Sequence, residues 1–384
     1  MKLLMIVGSA DSIFIYNIAK WLKKSLDINI DIFELEPSPK NLYDNSYYNL
    51  RDAYKQPISN SKIQRIISNK FRPYFRSHQL KLFLKDKHYD IIHAHWLTNS
   101  LVVSRNLKKH CNKLCLTFWG GELTHQTIFG SHTLYMCYLK SLIKQADYVV
   151  NSSQFKTKLN NISIFPKVFH PATLGSSSID YLLKLMTEET KETVKKKLGM
   201  PLNKTVVMIG YSGKPLHQHL NIIKALKTSN NLINGIHIFA PMTRDGNSTY
   251  IDKVNIALAE SGFSYTLIRD KYLSDEEVAL TRFATDIVFQ FSTFDGFSRS
   301  VIEGICAKAL LIYGDWLNYT DRLDYFGFQA LSASSIDEGV KILETILPYM
   351  HNYDDLLEQN SENGKMKLLW SECIKDWVNL YKSI

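Results

Sequence analysis

Short apolar runs recur along the chain with helical segments between them. Residues 3–7, 28–33, 91–93, 114–118 and 148–150 form one series, and residues 206–209, 236–239, 266–268, 287–289 and 310–312 form a second. Runs of this length alternating with helical stretches are the rhythm of strand–helix units around a buried parallel sheet. The two series predict two doubly wound α/β halves rather than one long sheet. Between them, His170-Pro171 is followed by Gly175 and three serines, then by a Lys/Glu-rich helical stretch ending at Gly199. That composition predicts a solvated connector over residues 171–203, between a first domain over 1–170 and a second over 204–364. The segment 365–384 carries Leu369, Trp370, Cys373, Trp377, Leu380 and Tyr381 at helical spacing, so one face of that helix must be buried.

Composition narrows the class. The chain has 384 residues, 45% hydrophobic and 22% charged, enough to build a core without metal or disulfide staples. Cys111, Cys115, Cys137, Cys306 and Cys373 form no Cys-x-x-Cys pair and no zinc-like cluster, which fits structural thiols in a reducing cytoplasm. The opening MKLLMIVGSA imitates a signal peptide, but its apolar run is shorter than the ~7–15 residues of an h-region, so it is expected to be the first strand. No stretch approaches the ~18 apolar residues of a membrane span. Lys and Arg number 46 against 37 Asp and Glu, a formal charge of +9, which points to an anionic partner.

Much of that excess is local. From residue 53 to 85 there are eight cations (Lys55, Lys62, Arg65, Lys70, Arg72, Arg76, Lys81 and Lys85) and no Asp or Glu. Phe71, Tyr74, Phe75 and Phe83 are interleaved with them. The segment is either a helical surface that lies on an anionic membrane leaflet, where each cation contributes ~1 kcal/mol, or a solvated helix whose apolar side joins the core. No nucleic-acid recognition motif accompanies the charge, so nucleic acid is not the expected partner.

Candidate chemistry concentrates at strand ends. Residues 286–304 read as a strand, a short loop and a helix start. Asp295 is expected to cap that helix, leaving the amides of Gly296, Phe297 and Ser298 directed at phosphate. Glu303 follows eight residues later. Either both carboxylates border one cleft, or Asp295 is a plain cap and Glu303 a solvated helix residue. Gly210, Ser212 and Gly213 follow the strand at 206–209 and form either a tight turn or a phosphate contact, with Lys214, His217 and Arg299 as neighbouring cations. His217 and His219 could equally serve as surface or capping residues. Gly8 and Ser9 make a similar turn after the first strand. His93 and His95 alternate along one segment, so one is expected to face the sheet interior and the other the ligand edge. His95 and Trp119 each end a strand at its carboxyl edge, where open α/β sheets bind ligands. No Asp-x-Asp follows a strand. Glu34-Leu-Glu36 is the nearest imitation, so no metal site is expected.

The segment DGFSRSVIEGICAKALLI resembles the acidic-Gly-Phe-x5-Glu-Ala segment of the retaining glycosyltransferases of family four. Those enzymes have the GT-B fold, two Rossmann-like domains facing across a cleft. Asp295 stands for the usual Glu, Gly304 for Ala and Lys308 for Gly. DIIHAHWL, LTFWGGELTH and ADYVVNSS resemble three first-domain segments of that family, with Trp119 in place of His and Glu122 in place of Asp. The tail LLWSECIKDWVNLYKSI resembles its final helix, which crosses back onto the first domain.

The resemblance implies that Asp295 holds donor-sugar hydroxyls, that Glu303 holds the nucleotide ribose, and that Gly8 and Ser9 pass close to the donor. Glu122 or His125 would orient the acceptor hydroxyl, with Trp119 and Gly120 beside it. In GYSGKPLHQHL, Tyr211 occupies the position of the usual Arg, which leaves Lys214, His217 or Arg299 to neutralise the diphosphate. The Gly-x-Ser-Gly…His pattern, with Ala240-Pro-Met after the next strand, is similar to bacterial transferases of 4-acetamido-4,6-dideoxygalactose.

The implied activity is transfer of a sugar from a nucleoside-diphosphate sugar to a saccharide or lipid-linked acceptor, with retention and without a bound metal. Its implied setting is bacterial surface polysaccharide or lipopolysaccharide synthesis, in a cytoplasmic protein peripheral on the inner face of the membrane. A sugar-nucleotide epimerase or phosphorylase on the same scaffold, or a membrane-docking nucleotide-binding protein without turnover, would share the fold.

Overall fold

Side chains alternate across a strand, so a run apolar at every position buries both faces of its sheet. The computed structural model describes residues 1–10, 12–36, 45–52, 62–104, 106–119, 121–123, 126–151, 154–243 and 248–383. The chain divides into a first unit, Met1–Gly175 with Trp370–Ile384, and a second, Ser176–Leu369.

In the first unit the described residues form strands β1 (Lys2–Val7), β2 (Asn29–Glu34), β3 (Asn49–Asp52), β4 (Tyr89–His95), β5 (Cys111–Thr117), β6 (Tyr148–Asn151) and β7 (Phe169–Pro171). They lie parallel in the order β3-β2-β1-β4-β5-β6-β7. Leu4 and Ile6 of β1 enter one core with Ile92 and Leu114, while Leu3, Met5 and Val7 enter the core on the opposite face.

The second unit has β8 (Thr205–Ile209), β9 (Ile236–Pro241), β10 (Ser264–Ile268), β11 (Ile287–Gln290), β12 (Leu310–Gly314) and β13 (Leu331–Ala333). These are also parallel, in the order β10-β9-β8-β11-β12-β13. Val206 and Met208 pack on one face and Val207 and Ile209 on the other. In each sheet the winding reverses beside its first strand, at β1/β4 and at β8/β11. The crevice outside the carboxyl ends of such strands is where this topology binds ligands.

Two expectations about connections change. The stretch 171–203 is helical, over Ser177–Glu188 and Lys191–Lys197, but it is packed into the second unit rather than being a solvated connector. Ile179, Leu182 and Val194 of these helices are buried in the core of the second unit, while Lys195 and Lys191 pair with Asp286 at 2.5 and 3.6 Å. The charges that suggested a linker are the outer face of amphipathic helices. The helix expected over 365–384 is interrupted, because Leu369 is extended between helices Asp354–Leu368 and Trp370–Ser383.

Helix Trp370–Ser383 belongs to the first unit, where Trp370, Ile374, Trp377 and Tyr381 are buried with Leu3, Met5 and Ile18. The Trp377 indole donates to the Thr173 carbonyl at 2.9 Å. Gly175 makes room for it, since a Cβ there would stand 2.5 Å from Trp370 Cγ. Trp377→Ala should therefore cost about 3–5 kcal/mol, read as a lowered midpoint of the first unit in denaturant unfolding. A loss below about 1 kcal/mol would show that the helix is not integral to that core.

Candidate functional site

At the ligand edge of the second unit, three strand-end loops meet around one carboxylate. Asp295, only 8% exposed, lies on the loop after β11. Its Oδ1 accepts from the Tyr211 hydroxyl, on the loop after β8, at 3.0 Å. Its Oδ2 accepts from the Gln290 amide at 3.2 Å, from the Ser298 backbone N–H at 3.3 Å and from the Tyr319 hydroxyl, which follows β12. All of these donors are neutral. Burial, and then the adjacent Asp295 charge, push both phenols well above the ordinary tyrosine range, so they stay protonated and donate. Further ties hold the loops together: Thr293 N–H donates to the Leu216 carbonyl at 2.8 Å, the Gln218 amide to the Phe291 carbonyl at 2.6 Å, and the Trp316 indole to the Ser292 carbonyl at 2.8 Å.

Several expected roles shift here. Asp295 does not cap the helix Arg299–Cys306; Ser298 does, accepting from Val301 N–H, while Asp295 holds the Ser298 amide one step earlier. Ser298 N–H is therefore not available to phosphate. Phe297 adopts a left-handed φ of 64°, which turns its ring into the core against Tyr319, with centroids 4.8 Å apart. Its side chain is a packing anchor.

His217 is buried and shares a 2.9 Å hydrogen bond with Ser212. Burial, with Lys214 nearby, holds its imidazole down at about 4, so it is neutral near pH 7 and is no replacement cation. His219 is buried beneath the turn rather than on the surface, and burial and His217 hold it at about 3. Gly210 is required above it: φ is 64°, and a Cβ would meet His219 Nε2 at 2.5 Å. Gly213, Lys214 and Arg299 sit on the same two loops and helix start, as does Gly296.

Glu303 is buried rather than solvated. Its Oε1 accepts from Ser176 and Ser178 at 2.8 and 2.6 Å, and Oε2 faces Arg282 Nε at 3.6 Å. Arg282 also donates to Ser300 at 2.9 Å. Tyr319, Gln290, Arg282, Ser176 and Ser178 were not candidates from sequence. Gln290 alone carried a signal, a polar residue closing the apolar strand.

In the first unit, the Gly8-Ser9 turn is held by Glu34, which accepts from Ser9 Oγ at 3.0 Å and Ala10 N–H at 2.7 Å. Glu34 thereby holds the turn. His93 and His95 do not divide between two faces: residues two apart share a face, and their rings stack 4.3 Å apart, both fully buried. His93 bonds to Thr117 Oγ1 at 2.8 Å and to the Tyr381 hydroxyl. Burial pushes His95 down to about 3, and neither of its ring nitrogens has a partner among the described residues. Trp119 is half-buried, stacked on Trp96 at 4.3 Å. Its backbone N–H donates to the buried Glu122 carboxylate at 2.9 and 3.1 Å, so Glu122 fixes this loop. Gly120 and His125 lie outside the described residues.

Residues 3–153 match the family model described as glycosyl transferase 4-like. No curated protein matches the chain in sequence. Among solved structures it is similar to sucrose-phosphate synthase from Thermosynechococcus elongatus (12% identity, TM-score 0.73, covering 100% of this chain and 98% of that one). It is also similar to Anabaena HepE in complex with UDP (14%, 0.72, 100% of both). A third is WaaG, a glycosyltransferase involved in lipopolysaccharide biosynthesis (10%, 0.68, 97% and 98%). The fold is GT-B. In GT-B terms, the Asp295 network sits in the second Rossmann-like domain and the His93–His95 stack in the first. Among the described residues, no three His, Cys, Asp or Glu side chains cluster so as to hold a metal ion.

Tyr319→Phe should cost about 1–3 kcal/mol, because it removes one donor from a buried carboxylate. Denaturant unfolding measures this, and a loss below ~0.5 kcal/mol would show that the phenol is dispensable. A pH dependence follows from His217 and His219. Unfolded, they bind protons near pH 6.5, but folded only near 4 and 3. The unfolded chain thus holds more protons in between, and stability falls as pH drops from about 6.5 toward 4, by up to ~1.4 kcal/mol per pH unit per histidine. Unfolding followed from pH 7.5 to 4.5 should show this decline, less steep in His217→Gln; a flat profile would contradict it.

Proposed function

We propose that this protein is a retaining glycosyltransferase that moves a sugar from a nucleoside-diphosphate sugar to a saccharide or lipid-linked saccharide in bacterial surface polysaccharide synthesis. The observation that carries the proposal is the carboxylate at the β8/β11 switch point. Among the described residues Asp295 is oriented by four neutral donors and, on its Oδ1, accepts only the Tyr211 hydroxyl. A carboxylate not neutralised by a cation, with acceptor capacity left at a ligand edge, suits a sugar hydroxyl. The family match over 3–153 and the likeness of 295–312 to the family-four segment support the same activity.

In this mechanism Asp295 holds the donor sugar, and Lys214 and Arg299 balance the diphosphate charge as the leaving group departs. Glu303, 3.6 Å from Arg282, lies one helix turn inside the start of that helix and receives the ribose hydroxyls. Phosphate itself, departing on the face from which the acceptor attacks, takes the acceptor proton. Trp119 and Glu122 shape the first-unit loop where the acceptor binds.

Membrane association on the cytoplasmic side belongs to the same proposal. Helix Lys62–Leu84 exposes Phe71, Phe75, His78 and Leu82, spaced 4, 3 and 4 residues apart, along one stripe. Lys81 and Arg72 flank that stripe, the pattern of an interfacial helix on anionic lipid. Among the described residues no helix is long and apolar enough to cross a membrane. The remainder of the expected docking segment, 53–61, lies outside the described residues.

A thermal-shift series with UDP, GDP, ADP, dTDP and their sugar conjugates tests the donor assignment, since a ligand at 100 times its Kd stabilises by about 2.7 kcal/mol. One nucleotide class should raise the melting temperature, and Asp295→Asn should lose the extra shift given by the sugar while keeping that of the nucleotide. No shift with any nucleotide would reject the proposal.

A further inference from the structure

Ser176 is the first residue of the second unit and stands at the N-cap of helix Ser177–Glu188. A serine at that position ordinarily accepts a hydrogen bond from a first-turn amide. Ser176 makes no such bond: its buried hydroxyl donates to Glu303 Oε1 at 2.8 Å instead. Ser178, also buried, donates to the same oxygen at 2.6 Å. The two hydroxyl oxygens are 2.9 Å apart, so two protons serve three contacts and at least one of them goes to Oε1.

The other carboxylate oxygen is left differently. Arg282 Nε stands 3.6 Å from Oε2, an ionic contact beyond hydrogen-bond length. Arg282, on helix Asp275–Phe283, spends its terminal nitrogens on Ser300 Oγ at 2.9 Å and Met208 Sδ at 3.4 Å. Among the described residues Oε2 accepts no hydrogen bond, and it is not closed to solvent, so the 7% of the Glu303 side chain that stays open includes it. One oxygen is thus committed to the protein and the other is available to a donor from outside.

This division needs several elements at once. A glutamate has three side-chain torsions, and a loosely held one would turn either oxygen outward. Here the serines come from the start of one helix, Arg282 from a second, and Glu303 with Ser300 from a third, Arg299–Cys306. Fixing a binding group in one rotamer by such a surrounding shell is what makes its contact with a ligand productive.

We infer that Ser176 and Ser178 are positioning residues for the nucleotide: they take up Oε1 so that Glu303 presents Oε2 to the ribose hydroxyls. That Glu303 meets a ribose rests on the transferase proposal; that the serines decide which oxygen is offered rests on the geometry. The grip on the ribose then depends on a segment more than a hundred residues from the β11 loop in sequence.

Calorimetric titration of the full chain with UDP, GDP, ADP and dTDP, each beside the analogue that lacks the 2′ and 3′ hydroxyls, tests this. The preferred nucleotide should bind wild type at least about tenfold tighter than its analogue, the scale of a hydrogen bond to a charged group. Glu303→Gln should bring that ratio below threefold. The double variant Ser176→Ala/Ser178→Ala should do the same by weakening the nucleotide alone, and each single variant should lower the ratio at least twofold. The analogue should bind all these variants as it binds wild type, which also reports that they are folded. A purely structural role would weaken both ligands together and leave the ratio unchanged. The inference is overturned, with the ribose assignment intact, if Glu303→Gln removes the preference while the serine variants keep it or weaken both ligands equally. A wild type without the preference, or a Glu303→Gln variant that retains it, would overturn the ribose assignment and this inference but not the nucleotide site. Absence of any nucleotide binding would remove the transferase proposal and this inference together.

Discussion

A buried carboxylate without an ion pair must be satisfied by neutral donors, and among the described residues of the second unit Asp295 draws them from three separate loops. Tyr211 comes from the end of β8, Gln290 and Ser298 from the β11 segment, and Tyr319 from beyond β12. Each donor loses its partner if Asp295 moves, so the three loops share one geometry. The tight turn at Gly210, the inward Phe297 and the neutral His217–Ser212 pair follow from the same packing. Local polar networks of this kind are costly when half satisfied and rigid when complete.

Tyr211 stands where the resemblance to family four would place an Arg. An Arg in its place would bring charge to the diphosphate and to the carboxylate together. The phenol instead gives Asp295 a neutral hydrogen bond, and in the proposed reading charge compensation falls to Lys214 and Arg299 on the flanking segments. The aromatic ring also packs on His217, with centroids 4.2 Å apart, which keeps that imidazole dry and uncharged.

Much of the fold was legible because parallel strands buried on both faces are continuous apolar runs. Every run in the two series became a strand. The strands that escaped were β3, β7 and β13, short edge strands of 3–4 residues with polar or proline-containing sequences. The connector was misread because its Lys and Glu residues drew attention away from the apolar positions Ile179, Leu182, Val194 and Met200 that are buried in the core. The site was legible only in part. Local sequence marks Asp295 and Glu303 but cannot reveal Tyr319, whose partner lies 24 residues away, nor Ser176 and Ser178, which reach Glu303 from 127 and 125 residues away. His93 and His95 were misjudged by a period-two error, since alternate residues share a face.

The central claim is that a nucleoside diphosphate rests on the loops after β8 and β11. Hydrogen–deuterium exchange of the full chain, with and without the nucleotide that gives the largest thermal shift, tests it most directly. Protection should concentrate in peptides covering residues 210–218 and 291–303. Protection confined to the first unit, or none in these loops at saturating nucleotide, would contradict it.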